Sequence, residues 1–283
     1  MPELPEVETI ARTLAPQVTG RVIKAVHVFL PKTLAAGSEL LPVISPGARM
    51  TGVRRRAKLL LVDIAAPGNV EPAYVLAFHL KMTGRLFVHP AGTPPGKHTR
   101  IVFDLASDEG RNAARLFFDD VRTFGYCRLM RLADLDAWPF WRKLGPEPLP
   151  LTAHDFISAL RGRGVTIKAL LLDQTVIAGI GNIYADEACF RSGIRPDARA
   201  AQISEEGLAT LLANIRDVLN ESITECGSSI RDYRDANGDA GAFQNLFRVY
   251  GRGGQPCLAC GLLLEKATVA GRTTAYCPYC QKG

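Results

Sequence analysis

The stretch RRRAKLLLVDIAAPGNVEPAYVLAFHL, residues 54–80, decides the fold class. It holds two apolar runs, Leu59–Ile64 and Tyr74–Leu80, parted by Pro67-Gly68-Asn69. Each run is strand-sized and too short to cross a membrane, and proline and glycine between them set a turn. Runs of the same kind recur on both sides, at Val22–Phe29, Arg100–Leu105, Arg115–Phe118 and Tyr126–Leu132. Gly92-Thr93-Pro94-Pro95-Gly96 punctuates them further. Short strands at this spacing predict an antiparallel β-sandwich from about 21 to 132.

Working outward, residues 2–18 read as a helix packed on that sandwich. Pro5 suits the first helical position, Glu6 and Glu8 suit the positive end of the helix dipole, and Val7, Ile10, Ala11 and Leu14 recur at helical spacing. After the strands, Pro139, Pro146, Pro148 and Pro150 mark a linker over 134–150. The pattern then turns helical. Thr152-x2-Asp155 caps a helix before Phe156, Ile157 and Leu160, and Leu208, Leu211, Leu212, Ile215, Val218 and Leu219 form one stripe over about 204–222. The expected class is α+β in four parts: helix and antiparallel sandwich over 1–133, linker over 134–150, helical domain over 151–247, metal module over 248–283.

The chain has 283 residues, 47% of them hydrophobic and 22% charged, which suits a globular protein with a sizeable core. Its net charge of +6 favours a polyanionic partner. Basic residues gather at Arg54-Arg55-Arg56-Ala57-Lys58, at Arg161-Gly162-Arg163, and at Arg248, Arg252, Lys266, Arg272 and Lys282. Such clusters beside a metal module point to phosphate contacts. The acidic N-terminus carries no basic-then-apolar signal, so the expected location is cytoplasmic, nucleoid-associated in a bacterial cell, with no membrane partner.

Of seven cysteines, Cys127, Cys189 and Cys226 are scattered, and four close the chain as Cys257-x2-Cys260 and Cys277-x2-Cys280. The intervening residues 261–276 fit the spacing of a four-cysteine zinc site. Four thiolates leave no open position on the metal, so one structural Zn2+ is expected. Residues 269–275 between the pairs suggest a β-hairpin with Arg272 near its tip.

At the other end, Pro2 follows Met1 and is small enough for Met1 to be removed. Pro2 then carries a secondary amine, which condenses with an aldehyde-like carbon to an iminium. An α-amine titrates nearer neutrality than lysine, and burial at a helix N-terminus lowers it further. Glu3 stands next to it as a proton donor for an oxygen of the reacting group. In the middle of the chain, Gly179 and Gly181 permit a tight turn and Asn182 opens a helix whose free N–H groups favour a phosphate.

These features belong to an ordered series of segments: PELPEVETI (2–10), RRAKLLL (55–61), HLKMTGRL (79–86), KH (97–98), DVRTFG (120–125), LGPEPL (144–149), AGIGNIYADEA (178–188), VYGRGGQPC (249–257) and the closing cysteines. The series resembles the formamidopyrimidine-DNA glycosylase (Fpg) family, related to the endonuclease VIII (Nei) type. The resemblance implies a bifunctional DNA glycosylase and AP lyase of base excision repair, monomeric, acting on damaged double-stranded DNA. It would excise oxidised purines (8-oxoguanine, formamidopyrimidines) through a Pro2 Schiff base and β,δ-elimination. It implies Pro2 as nucleophile, Glu3 as general acid, Lys58 as an assisting lysine, and Arg272 as the hairpin arginine of the last elimination. Residues 178–186 resemble the family's helix–two-turn–helix. His98, Arg122, Arg163, Lys168 and Asn182 match positions that contact DNA. Met82, Arg122 and Phe124 match the side chains that fill the hole left by a flipped nucleotide; their types alone would also suit a sandwich core for Met82 and Phe124. Thr123 stands where many members carry a second arginine. The segment from Gly227 to Phe243 matches the loop that covers a flipped purine, which separates this reading from a pyrimidine-directed, Nei-type one.

Overall fold

The structure is a computed structural model and describes residues 2–107, 112–230 and 232–282. Met1, whose removal the chemistry at Pro2 requires, and Arg231 of the 227–243 segment lie outside the described residues. The chain divides into two compact units. The first runs up to Arg142 and takes in Cys226–Gly241; the second comprises Lys143–Glu225 and Ala242–Gly283.

The first unit begins with helix α1 (Leu4–Val18) and continues through β1 (Ile23–Val28), β2 (Leu34–Ala36), the short α2 (Leu41–Ile44), β3 (Arg49–Arg56), β4 (Leu59–Ala65), β5 (Pro72–His79), β6 (Gly84–Pro90), β7 (Thr99–Leu105), β8 (Ala114–Asp120) and β9 (Tyr126–Arg131). Two sheets result, in the orders β1-β7-β8-β6 and β2-β9-β5-β4-β3. All pairings are antiparallel except the short β2–β9 contact, which is parallel. One core joins both sheets to α1, with Val7, Ile10, Leu14 and Val18 packed among Leu60, Val62, Leu76, Phe78, Phe103, Leu116 and Phe118. Full burial of one such side chain stabilises by about 1.5–3 kcal/mol. The expected sandwich and its helix are therefore present, with β2, β3 and β6 added to the strands expected from the sequence.

The segment 226–241 belongs to this unit because of backbone hydrogen bonds along α1. Ser228 N–H donates to Glu6 Oε1 at 2.8 Å and Ala236 N–H to Thr13 Oγ1 at 3.1 Å. Tyr233 and Ala236 join the core. Gly227 lies so close to Glu6 that an added Cβ would meet the Glu6 Cγ at 3.0 Å, and its φ of +83° favours glycine.

The short α3 (Pro139–Lys143) occupies the expected linker. The second unit holds α4 (Ala153–Leu160), α5 (Ile167–Leu172), α6 (Asn182–Arg191), α7 (Glu205–Thr224) and the hairpin β10 (Glu265–Val269) with β11 (Arg272–Tyr276). Thr152 and Ser204 cap α4 and α7 through side-chain oxygens. The α7 stripe is buried as its spacing predicts. Helix α6 is buried from Ile183 to Cys189 on all sides, including Asp186 and Glu187. No helix among the described residues is long and apolar enough to cross a membrane.

Candidate active site and nucleic-acid interface

The start of α1 is fixed before any ligand arrives. Pro2 is buried and Glu3 is 3% exposed. Glu3 N–H donates to Glu6 Oε2 at 2.8 Å, which pins the extended N-cap residue to the first turn. Thus the residue next to Pro2 has its backbone held and its carboxylate out of bulk water.

Lys58 sits at the tip of the β3–β4 hairpin, where Arg56 pairs with Leu59. Ala57 takes a φ of 53°, the left-handed backbone that closes so tight a turn. Arg55 supports that tip: its Nη1 donates to the Ala57 carbonyl at 3.1 Å, and its Nε to Glu8 Oε2 of α1 at 2.9 Å. Burial pushes the Glu8 carboxyl up, but Arg55 and Arg12 outweigh it and hold it below the usual carboxylate range. Arg56 lies over the Trp141 ring, 4.1 Å from its centre. Lys58 itself is only 8% exposed.

His79 ends β5 opposite Leu59. Burial, then the charges of Lys81 and Lys58, drive its pKa down to about 3. The ring is therefore neutral at physiological pH, with Nδ1 accepting from the Lys81 N–H at 3.2 Å and Tyr126 5.6 Å away.

Two turns of the same unit present the other predicted side chains. Met82 is 39% exposed and Phe124 54% exposed, so neither belongs to the core that their types alone would suggest. Arg122 is exposed and stacks over Phe124 at 4.7 Å. Thr123 accepts from Lys32 Nζ at 3.1 Å, which places an amine beside its hydroxyl. His98 is half-buried just before β7, its carbonyl accepting from Asp120 N–H.

In the second unit, Asn182 is the first residue of α6, with Gly181 as its cap. The Asn182 side chain does not cap the helix. Its Nδ2 donates to the Thr273 carbonyl of β11 at 3.0 Å, while Oδ1 is buried with no hydrogen-bond partner. Arg272 and Thr273 are exposed on the hairpin, and Arg163 is exposed after α4.

Lys168 corrects an expectation. It was expected at a DNA backbone contact, but it is fully buried in α5. Its Nζ donates to Asp186 Oδ1 of α6 at 2.6 Å and to the Thr274 hydroxyl of β11. Burial pushes Asp186 up to about 7 against the pull of Lys168. An amine sealed in this way cannot reach a phosphate; it ties the hairpin to the helices. Glu187 acts in parallel, accepting from the N–H groups of Arg248, Val249 and Tyr250 at 2.8–3.1 Å. Neither acid is among the residues that motif and spacing single out in the sequence. Their one signal is a pair of carboxylates in a stretch otherwise rich in Ile, Tyr, Ala and Cys.

The four expected cysteines converge, with all Sγ atoms within 4.8 Å of one another. Cys257 and Cys280 Sγ lie 4.0 Å apart, Cys260 and Cys277 3.4 Å. A tetrahedral Zn2+ with Zn–S bonds of about 2.3 Å needs sulfurs about 3.8 Å apart, so the donor set fits one zinc. The N–H groups of Ala259 and Cys280 point at Cys257 and Cys277 Sγ at 3.4 Å, an arrangement that favours thiolates. The site is structural, because four sulfurs fill the coordination sphere.

A proline-led helix with a β-sandwich in the first unit, and helices with a four-cysteine hairpin in the second, define an α+β zinc-finger protein. The formamidopyrimidine-DNA glycosylase N-terminal domain matches residues 1–127, its H2TH domain residues 144–234, and the zinc finger found in FPG and IleRS residues 254–283. The formamidopyrimidine-DNA glycosylase of Nitratidesulfovibrio vulgaris is 45% identical, with all of both chains covered. Two solved structures of Lactococcus lactis Fpg are also similar. The wild-type complex with DNA containing N7-benzyl-Fapy-dG has TM-score 0.89 at 33% identity over all of both chains. The complex with abasic-site DNA has TM-score 0.89 at 32% identity over 99% of this chain and 100% of that one. The chain belongs to the formamidopyrimidine-DNA glycosylase family. It is accordingly a DNA-repair glycosylase that acts on damaged DNA.

Proposed function

We propose that the chain is a monomeric, bifunctional glycosylase and AP lyase of the bacterial cytoplasm or nucleoid, which removes oxidised purines (8-oxoguanine and formamidopyrimidines) from double-stranded DNA. The observation that carries the reading is the buried Pro2–Glu3 pair, its backbone pinned by Glu6 at the start of α1. The Pro2 amine, freed of Met1, forms a bond to the sugar anomeric carbon as the bond from that carbon to the base breaks. The base departs with the electron pair and takes up a proton. Glu3 protonates the ring oxygen as the sugar opens to the iminium. Loss of a C2′ proton then expels the 3′ phosphate, and a second elimination expels the 5′ phosphate. Lys58, held by the Arg55-supported hairpin, assists at the lesion with its charge.

DNA is gripped by His98, Arg122, Arg163 and Asn182, the last at a helix start where N–H groups suit a phosphate. Arg272 on the hairpin binds phosphate and assists the last elimination. Met82, Arg122 and Phe124 occupy the space of the extruded nucleotide, as their exposure on turn tips supports. The segment 227–243 covers the flipped base, which favours purines over pyrimidines. Zinc held by Cys257, Cys260, Cys277 and Cys280 keeps the hairpin rigid.

The test is borohydride trapping of the demethionylated protein on abasic-site DNA, beside excision of 8-oxoguanine opposite cytosine and of thymine glycol. A covalent complex and preference for 8-oxoguanine are expected. No trapped complex would leave a DNA binder without lyase chemistry, and preference for thymine glycol would make the enzyme pyrimidine-directed. Pro2→Gly or Glu3→Gln should impair excision with DNA affinity largely retained; parallel loss of both would refute their roles.

A further inference from the structure

We propose that Asp120 is a positioning residue that locks the turn bearing Met82 and the turn bearing Arg122 and Phe124 into one rigid wedge. The inference rests on the reading of those three side chains as void-filling, and adds the device that sets them. Strands β6 and β8 pair with Gly84 opposite Asp120, so the turn entering β6 and the turn leaving β8 lie side by side.

Asp120 is 1% exposed, and its carboxylate serves both turns. Oδ1 accepts from the Thr83 hydroxyl at 2.5 Å and from Arg122 N–H at 3.2 Å. Oδ2 accepts from Gly125 N–H at 2.7 Å. Thr83 Oγ1 in turn accepts from Arg122 N–H at 3.1 Å, so the residue after Met82 is bonded directly to the backbone of Arg122. A buried carboxylate with several N–H and O–H donors fixes geometry strongly, because each donor would otherwise be left unsatisfied.

The glycines make this closeness possible. A Cβ on Gly125 would meet Asp120 Oδ2 and Phe118 Cζ at 3.0 Å and the His79 carbonyl at 3.2 Å. One on Gly84 would lie 2.6 Å from the Leu80 carbonyl oxygen. Between the anchors, Lys81 and Thr123 both take left-handed backbone, with φ of 52° and 57°. Both turns are thus built around tips that point their side chains away from the core. Arg122 over Phe124 completes the exposed face. Exposed Met and Phe on independent turns would waste entropy on entering a duplex; turns fixed in advance do not.

The experiment compares wild type, Asp120→Asn and Thr83→Val. Asn keeps the size but replaces one acceptor oxygen by a donor amide, which opposes Gly125 or Arg122 N–H. Three readouts separate the possibilities: single-turnover excision of 8-oxoguanine from duplex, borohydride trapping on single-stranded abasic DNA, and fluorescence of 2-aminopurine opposite a tetrahydrofuran site in duplex. Single strands leave no orphaned base and no hole to fill. Asp120→Asn is expected to slow duplex excision and diminish the 2-aminopurine signal by about tenfold, a size set by loss of a charged hydrogen bond. Single-strand trapping should stay within about twofold of wild type. Thr83→Val should give a smaller loss of the same pattern and serves if Asp120→Asn does not fold. Equal losses on duplex and single strand, or full duplex activity in both variants, overturn the proposal. If wild type itself traps nothing, the lyase reading fails, while the 2-aminopurine comparison still decides the wedge.

Discussion

His79 and Lys168 show how far burial changes what a residue type means. A histidine between two lysines could be a cation; this one stays neutral because desolvation and both lysine charges oppose protonation. Its folded pKa of about 3 lies below the ordinary histidine value of 6.5, so the unfolded chain binds a proton that the folded chain refuses. Stability is therefore full above pH 6.5 and falls as pH drops from 6.5 toward 3. At pH 5 the loss from this group is roughly 2 kcal/mol. Denaturant midpoints measured between pH 7 and pH 4.5 should show the decline in wild type and a shallower one in His79→Gln; identical slopes would reject the assignment. For Lys168, the sequence disclosed a cation but not its direction, because its pairing with Asp186 and Thr274 joins residues far apart in the chain. Lys168→Met alone strands the Asp186 carboxylate and should cost about 3–5 kcal/mol. Adding Asp186→Leu should recover much of that loss in thermal unfolding. A double variant as unstable as the single one would mean that packing, not charge, sets the cost.

At the scale of elements, the pattern that was legible is the one carried by local periodicity. Helix α1, the strands from β4 onward with long apolar runs, the α7 stripe and the cysteine knuckles all announce themselves through spacing. Strand β3 did not, because Arg54, Arg55 and Arg56 spend their charges on Asp63, Glu8 and the Trp141 face while the backbone pairs with β4. A run of arginines looks like a solvated surface until those partners are known. Strand β6 was hidden by its short, mixed pattern, and β2 by its length of three residues. The segment 226–241 reads as a polar loop, yet backbone donors and two side chains dock it along α1, which no composition reveals. Helix α1 is thus held from two sides. Leu14→Ala, fully inside the core, should destabilise the first unit by about 2–5 kcal/mol. Calorimetry of the variant should show one lowered transition; an unchanged profile would mean that α1 is not part of that cooperative core.

The whole molecule is two compact units, each with a core of its own, and the four-cysteine site lies in the second. Zinc removal therefore has an asymmetric consequence. Once the cation is gone nothing bonds the four sulfurs together within 4.8 Å, and the knuckles at Cys257–Cys260 and Cys277–Cys280 lose their closure. The small cluster of Val249, Leu264, Ala275 and Cys277 is then exposed, and Glu187 and Asp186 lose the backbone donors that the finger supplies. The cost falls on α6, to which both acids belong. Chelation at neutral pH should accordingly lower amide protection in residues 182–191 and 248–282 while leaving the β4–β5 core of the first unit protected. DNA affinity should fall and its dependence on salt should become shallower, because Arg272 no longer holds its place among the phosphate contacts. Arg272→Ala in the zinc-loaded protein should reproduce the shallower salt dependence without the loss of amide protection. Uniform deprotection of both units on chelation, or a salt dependence that Arg272→Ala leaves unchanged, would refute this separation between a metal that shapes the hairpin and a side chain that meets the DNA.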